Sequence, residues 1–246
     1  MASNYTPQKQ AKQYYIGVKD NNPVYVWGFN YFTLITKETI EKAYKDYHST
    51  TYDKTYYENK LREGKGRPGS DCSGMHYDLS GYDTTAQGYY NNCTRKGPIS
   101  ELPIHDLCLL FRGKSTDSIK HTGIYLGNSM CLHMKSSKEN CVYESIDAHG
   151  WTNWGYGNFI DYSEPLDAKP ILIRTIKMGS KGTDVKLTQD QLIKKGYDPG
   201  IIDGDFGKKT EDAVKKFQKD NKLPEDGIVG KATCKKLGML WRGPSY

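Results

Sequence analysis

No stretch of this sequence approaches the roughly 18 consecutive apolar residues that a membrane-spanning helix needs, so no membrane insertion is expected. The opening residues, MASNYTPQKQAKQYY, lack the apolar core of a secretory signal, and export by that route is not expected either. The six cysteines (Cys72, Cys93, Cys108, Cys131, Cys141, Cys234) include no C-x-x-C pair and are not spaced like those of a disulfide-dense domain. No metal site and no cofactor are therefore expected. Cys131 and Cys141 could bridge neighbouring strands, and the sequence leaves that open. Excess charge is also missing from most of the chain. Residues 1–165 hold 18 Lys+Arg against 18 Asp+Glu, whereas residues 166–246 hold 17 against 11, so the whole net charge of +6 sits in the last third. A small basic module suits an anionic polymer such as nucleic acid, an acidic membrane or an anionic cell wall, although a solvated surface explains such a charge as well. What is present, 36% hydrophobic and 26% charged residues over 246 positions, fits a soluble globular chain of one large domain or two unequal ones.

A shift in composition sets the expected boundary. After the aromatic segment AHGWTNWGYGNFIDY comes the polar, Pro-containing SEPLDAKP, then a Lys-rich, Gly-punctuated stretch. The expected layout is a first domain over 1–162, a linker over 163–177 and a helical module over 178–246. The module contains an internal repeat: Asp203-Gly204-x-x-Gly207-Lys208-x-Thr210 recurs as Asp226-Gly227-x-x-Gly230-Lys231-x-Thr233, 23 residues on. Each copy reads as a tight Asp-Gly turn followed by a Thr placed to cap a helix. Ala213, Val214 and Phe217 then line one helix face, and Val185, Leu192 and Ile193 mark an earlier helix that stops at Gly196. Only Asp203 and Asp205 have EF-hand-like spacing, so turn chemistry is preferred to a calcium loop. From about Met178 to Leu240 this part resembles the peptidoglycan-binding domain appended to many bacterial and phage wall hydrolases. Thr188 departs from it, standing where an apolar residue is usual. The resemblance implies bacterial peptidoglycan as partner, with no nucleic acid.

The first domain offers a candidate nucleophile in GSDCSGMHYDLSGY. Asp71 is a strong N-cap, and Met75, Leu79 and Tyr82 recur at helical spacing, which predicts Cys72 at the first helical position, where the positive end of the dipole lowers a thiol pKa. A lone cysteine is more often a small buried hydrophobe. A thiol nucleophile needs a base. His121 opens the alternating segment HTGIYLG, which reads as a half-buried strand ending in a Gly-Asn turn, and His133 lies twelve residues later on the next strand. Paired strands can set two imidazoles side by side, one as base and one orienting it. His76, one turn below Cys72, is the rival base.

These residues match a family in order. DCSG, a His heading GIYLGN after 49 residues and a second His twelve further on resemble the NlpC family of papain-like bacterial cell-wall cysteine peptidases. PVYVWG at Pro23 to Gly28 is similar to that family's Tyr-x-Trp-Gly segment, and ELPIHDLCLLF to its strand before the catalytic His. The resemblance implies an α+β fold, a papain-like domain with an antiparallel sheet followed by a small three-helix peptidoglycan-binding domain. It implies Cys72 as nucleophile, His121 as base and His133 as the orienting residue, with Tyr25 beside the oxyanion and Trp27, Asp71 and Ser73 around the substrate peptide. Two departures stand out: Phe29 replaces a common second Gly, and the long segment TKETIEKAYKDYHSTTYDKTYYENKLREG separates Trp27 from Cys72. That insert reads as a helix behind Thr36 and must border the cleft. Trp151, Trp154 and Tyr156 form either a rim for sugar stacking or a satellite core. By resemblance the scissile bond is the D-γ-glutamyl bond to the diamino acid of the stem peptide; wall binding with no secretory signal leads us to expect a monomeric phage endolysin made in the cytoplasm and acting on the wall after release, a chromosomal autolysin being second. An amidase cutting at N-acetylmuramoyl-L-alanine, or a papain-like acyltransferase or deamidase, would use the same groups.

Overall fold

The computed structural model describes residues 5–31, 33–163, 166, 170–172 and 174–241. Residues 1–4 and 32 of the first expected domain, 164–165, 167–169 and 173 of the expected linker, and 242–246 of the module lie outside the described residues. Apart from two three-residue turns, the chain divides into two compact units between residues 166 and 167.

The larger unit is α+β. Its main sheet has six strands in the spatial order Arg95–Pro98, Asn153–Tyr156, Cys108–Gly113, Ile119–Tyr125, Met130–Ser136, Asn140–Ser145, and every neighbouring pair is antiparallel. Both faces of its central strands are buried. Leu109, Phe111, Ile124, Leu132 and Met134 join one core with Tyr15, Met75 and Tyr89, while Cys108, Leu110, Tyr125 and Cys131 join another with Trp151 and Trp154. This overturns the half-buried reading of the His121 strand: Thr122 is buried on the first face, bonded to His76, and Gly123 on the second, under Trp151. Trp151 and Trp154 are accordingly core residues and not an exposed rim. Cys131 lies opposite Glu144 and Cys141 opposite Met134, so these two cysteines do not bridge, and all six thiols are free.

A three-stranded sheet carries the approach to the nucleophile: Pro68–Ser70 is central, flanked by Val24–Tyr25 and Thr33–Leu34. The insert folds as two helices. Lys37–Tyr47 begins at a capping box between Thr36 and Thr39, and Lys54–Gly64 begins where the Asp53 side chain accepts from the Tyr56 amide. Ile40, Ala43 and Tyr57 bury these helices against Val24, Val26 and Ile35, the core of that small sheet.

The smaller unit holds three helices, Thr183–Lys194, Lys208–Asp220 and Lys231–Lys236, around Val185, Leu192, Phe206, Val214, Phe217 and Leu237. It also includes a parallel strand pair, Ile171–Leu172 with Leu240–Trp241, and an Ile176–Val229 bridge, so part of the expected linker is woven into this unit. Thr188 is fully buried and satisfies its hydroxyl on the Asp184 carbonyl one turn back.

The repeat is held differently from the expected caps. Gly207 and Gly230 occupy the N-cap positions without side-chain bonds, and Thr210 and Thr233 lie in the first helical turn. A buried glutamine serves each copy. Gln189 Nε2 reaches Asp203 Oδ1 (3.0 Å), the Asp205 carbonyl (3.1 Å) and Thr210 Oγ1 (3.2 Å), while its Oε1 accepts from the Gly204 amide. Gln218 repeats the pattern on Asp226, Ile228, Thr233 and Gly227. The aspartates are thus engaged in turn chemistry. Gln218→Ala should strand several buried polar groups and destabilise the module by roughly 2–4 kcal/mol, read from denaturant unfolding; a loss below ~0.5 kcal/mol would show that water replaces the amide.

Candidate active site

Cys72 is not on a regular helix. It occupies a turn that leads into a single 3-10 turn, Gly74–His76, and a short helix, Tyr77–Ser80, closed by Gly81. The reason is visible in Asp71. Its carboxylate collects four donors, the amides of Gly28 (3.0 Å), Ser73 (2.9 Å) and Gly74 (2.8 Å) and the Ser73 hydroxyl (2.9 Å), and so winds the chain tightly about itself. Gly74 allows this approach, since a Cβ there would lie 2.1 Å from the Phe29 carbonyl oxygen. Asp71 and Ser73 both line the cleft, with Asp71 committed to shaping the loop.

The thiol sits at the wall of a cleft of about 510 Å³ bordered by Trp27, Tyr47, Asp71, Ser73, Asp83 and Gln87. Tyr47 comes from the insert, which therefore does line the cleft. Trp27 stacks on Tyr52 of the insert at 4.8 Å, nearly parallel, and Tyr25 hydrogen-bonds Tyr52. Tyr25 is buried; burial first, then the neighbouring Cys72 and Asp71, holds its phenol well above the ordinary range, protonated and a donor.

Behind the thiol lies the His121 strand. The Thr122 amide hydrogen-bonds Cys72. His121 Nε2 meets His133 Nδ1 at 2.8 Å, and His133 Nε2 meets Glu144 Oε1 at 3.0 Å. Glu144 was invisible to sequence reasoning, because only the strand register that sets it across from Cys131 brings it near His133. A Cβ on Gly123 would lie 2.9 Å from the His133 Cβ and 2.7 Å from the Trp151 ring, so this glycine lets His133 pack beside the strand. Trp151 stacks on His121 at 5.5 Å. The rival, His76, is fully buried and occupied on both nitrogens, by the Tyr15 hydroxyl at 2.7 Å and Thr122 Oγ1 at 3.2 Å.

The hydrogen bonds of this row fix the protons. Glu144 accepts, so His133 Nε2 carries hydrogen and Nδ1 is bare; Nδ1 then accepts from His121 Nε2–H, which leaves His121 Nδ1 bare. The electrostatics correct the expected low thiol pKa. Burial, then the Asp71 carboxylate, pushes Cys72 up to about 12, and the dipole of so short a helical segment cannot offset that. Burial and the neighbouring imidazoles push His121 down to about 2, and burial pushes His133 to about 3. With the thiol high and the imidazole low, the resting proton is on sulfur. Cys72 alkylation by a small neutral reagent should then rise about tenfold per pH unit from pH 7 to 10, the thiolate fraction being the reactive one; a plateau below pH 7 would reveal a preformed thiolate–imidazolium pair.

Two family models match the chain. Residues 54–158 match the NlpC/P60 family and residues 181–237 the PG_binding_1 peptidoglycan binding domain. The chain carries an NlpC/P60 domain. Cys72, His121 and His133 all fall inside that match, while Tyr25 and Trp27 lie before it. Among curated proteins, the type VI secretion system spike protein VgrG3 of Vibrio cholerae is 41% identical over 70 residues, 23% of this chain and 7% of that protein. N-acetylmuramoyl-L-alanine amidase CwlM of Mycobacterium tuberculosis is 37% identical over 59 residues, 24% of this chain and 14% of that protein. The chain thus spans only a small fraction of these relatives. A solved P60 domain from the antigen MAP1204 of M. avium subspecies paratuberculosis is 21% identical with a TM-score of 0.39, covering 63% of this chain and 98% of that one.

Proposed function

We propose that the NlpC/P60 unit hydrolyses an amide of the peptidoglycan stem peptide, the D-γ-glutamyl bond to the diamino acid, and that the smaller unit holds the enzyme on the wall. The observation that carries this reading is the line of groups Glu144–His133–His121 on a strand whose next residue, Thr122, hydrogen-bonds through its amide to a thiol that opens on a cleft. His121 Nδ1 takes the proton from Cys72 as Sγ attacks the carbonyl carbon. The resulting oxyanion receives the Cys72 amide and the Tyr25 hydroxyl, which together lower the barrier where charge develops. His121 then gives the proton to the leaving amine, and a thioester remains. Water, deprotonated by His121, attacks that thioester and frees the thiol. Because the resting pair is neutral, proton transfer accompanies attack instead of preceding it, and the oxyanion donors carry much of the stabilisation.

The insert narrows the choice of substrate. Tyr47, and Trp27 backed by Tyr52, place flat aromatic surface around the thiol, suited to a sugar ring or to the aliphatic arm of a diamino acid. A hydrolase with its own basic wall anchor suits an endolysin acting on the wall after release, because tethering raises the local concentration of scissile bonds. Mass spectrometry of fragments released from defined peptidoglycan tests the bond. New N-terminal diamino acids are expected; free muramic acid carboxylates paired with new L-alanine termini would instead make it an amidase.

A further inference from the structure

Beside the proton chain stands a third imidazole that hydrolysis does not use. His149, in the loop after the Asn140–Ser145 strand, is nine-tenths buried, and its Nε2 has no hydrogen-bond partner. Its ring centroid is 4.2 Å from that of His133 and 5.0 Å from that of His121. One nitrogen from each of the three rings lies within 4.8 Å of the others. Glu144 serves two of them from outside, at 3.0 Å from His133 Nε2 and 3.7 Å from His149 Nδ1. A buried, unpaired ring nitrogen is costly unless something occupies it. A carboxylate on the far nitrogen of a histidine is the arrangement that orients imidazoles toward a metal, since it fixes which nitrogen keeps the lone pair.

We infer that His121, His133 and His149 form a site for a borderline-soft divalent cation of the zinc class, and that its occupancy switches the peptidase off. His133 would present Nδ1 and His149 its orphaned Nε2, while Glu144 holds their opposite edges. Ligand nitrogens at ordinary Zn–N lengths stand roughly 3.4 Å apart, so the 2.8 Å His121–His133 hydrogen bond opens as the cation replaces its proton and His149 draws in, all by side-chain rotation. A cation bound at His121 Nε2, the nitrogen facing His133, forces the ring's proton onto Nδ1, the atom that must take the Cys72 proton. The inhibitory half rests on His121 being the base; the binding half does not.

Co2+ is the spectroscopic probe and Zn2+ the inhibitor. In full-length protein carrying Cys72→Ala, which removes the thiol as a ligand, Co2+ should give the intense visible bands of a four-coordinate site. His149→Ala and His149→Gln should weaken that binding at least tenfold, with folding checked by circular dichroism. In protein with Cys72 intact, Zn2+ should inhibit wall hydrolysis, and the same two His149 variants, active without metal, should need at least tenfold more. Bands that are absent, or indifferent to residue 149 in both folded variants, overturn the site. Binding that depends on His149 without inhibition would keep the site and sink His121 as the base.

Discussion

Cys72→Ala should cut the release of stem-peptide fragments by at least ~10³-fold while leaving the protein folded, because the thiol is the nucleophile that forms the acyl intermediate in the proposed mechanism. The change removes little volume. It also deletes the bond from the Thr122 amide, worth about 1 kcal/mol, so melting should fall by only a few degrees in a protein of this size. Binding to purified walls should be unchanged, since the anchor is a separate unit. Retained hydrolysis with a folded protein would end the thiol mechanism. Loss through unfolding would show as loss of far-ultraviolet dichroism and would instead report on the Asp71 loop.

The nucleophile was legible because its local sequence does several jobs at once. Asp71 must accept four bonds and Gly74 must lack a Cβ, so the D-C-S-G order is imposed by geometry as well as by chemistry. The thiol's acidity was not legible. It depends on burial beneath elements distant in sequence and on whether the turn grows into a helix long enough to have a useful dipole, and here it does not. The pairing of His121 with His133 could be expected from two strands and a turn. Glu144 and His149 could not, since both reach the site through strand register and a loop path that periodicity does not encode.

The module shows the same divide. Its Asp-Gly turns and apolar helix faces were readable, whereas the glutamines that hold the turns, Gln189 and Gln218, sit on helix interiors and look like solvent-facing polar residues until the fold buries them. The Thr positions were misread for a related reason. A Thr after a Gly-Lys pair fits a cap by spacing, yet Gly takes the cap and Thr turns inward to the glutamine.

The hierarchy behind His121 provides the second large effect. His133→Ala removes the acceptor for His121 Nε2–H, so the ring can rotate or carry its proton on the nitrogen that should face Cys72; a loss of roughly 10²-fold in kcat is expected, with KM little changed. His133→Gln should recover about tenfold of that, because an amide can accept from His121 and donate to Glu144 as the imidazole does. Glu144→Gln should cost about tenfold in kcat, acting only through the tautomer of His133, as a positioning residue does. His121→Ala should match Cys72→Ala in severity. A Glu144→Gln variant as dead as His121→Ala would mean that the carboxylate itself takes part in proton transfer, and a fully active His133→Ala would show that Trp151, stacked on His121, is sufficient to hold the base.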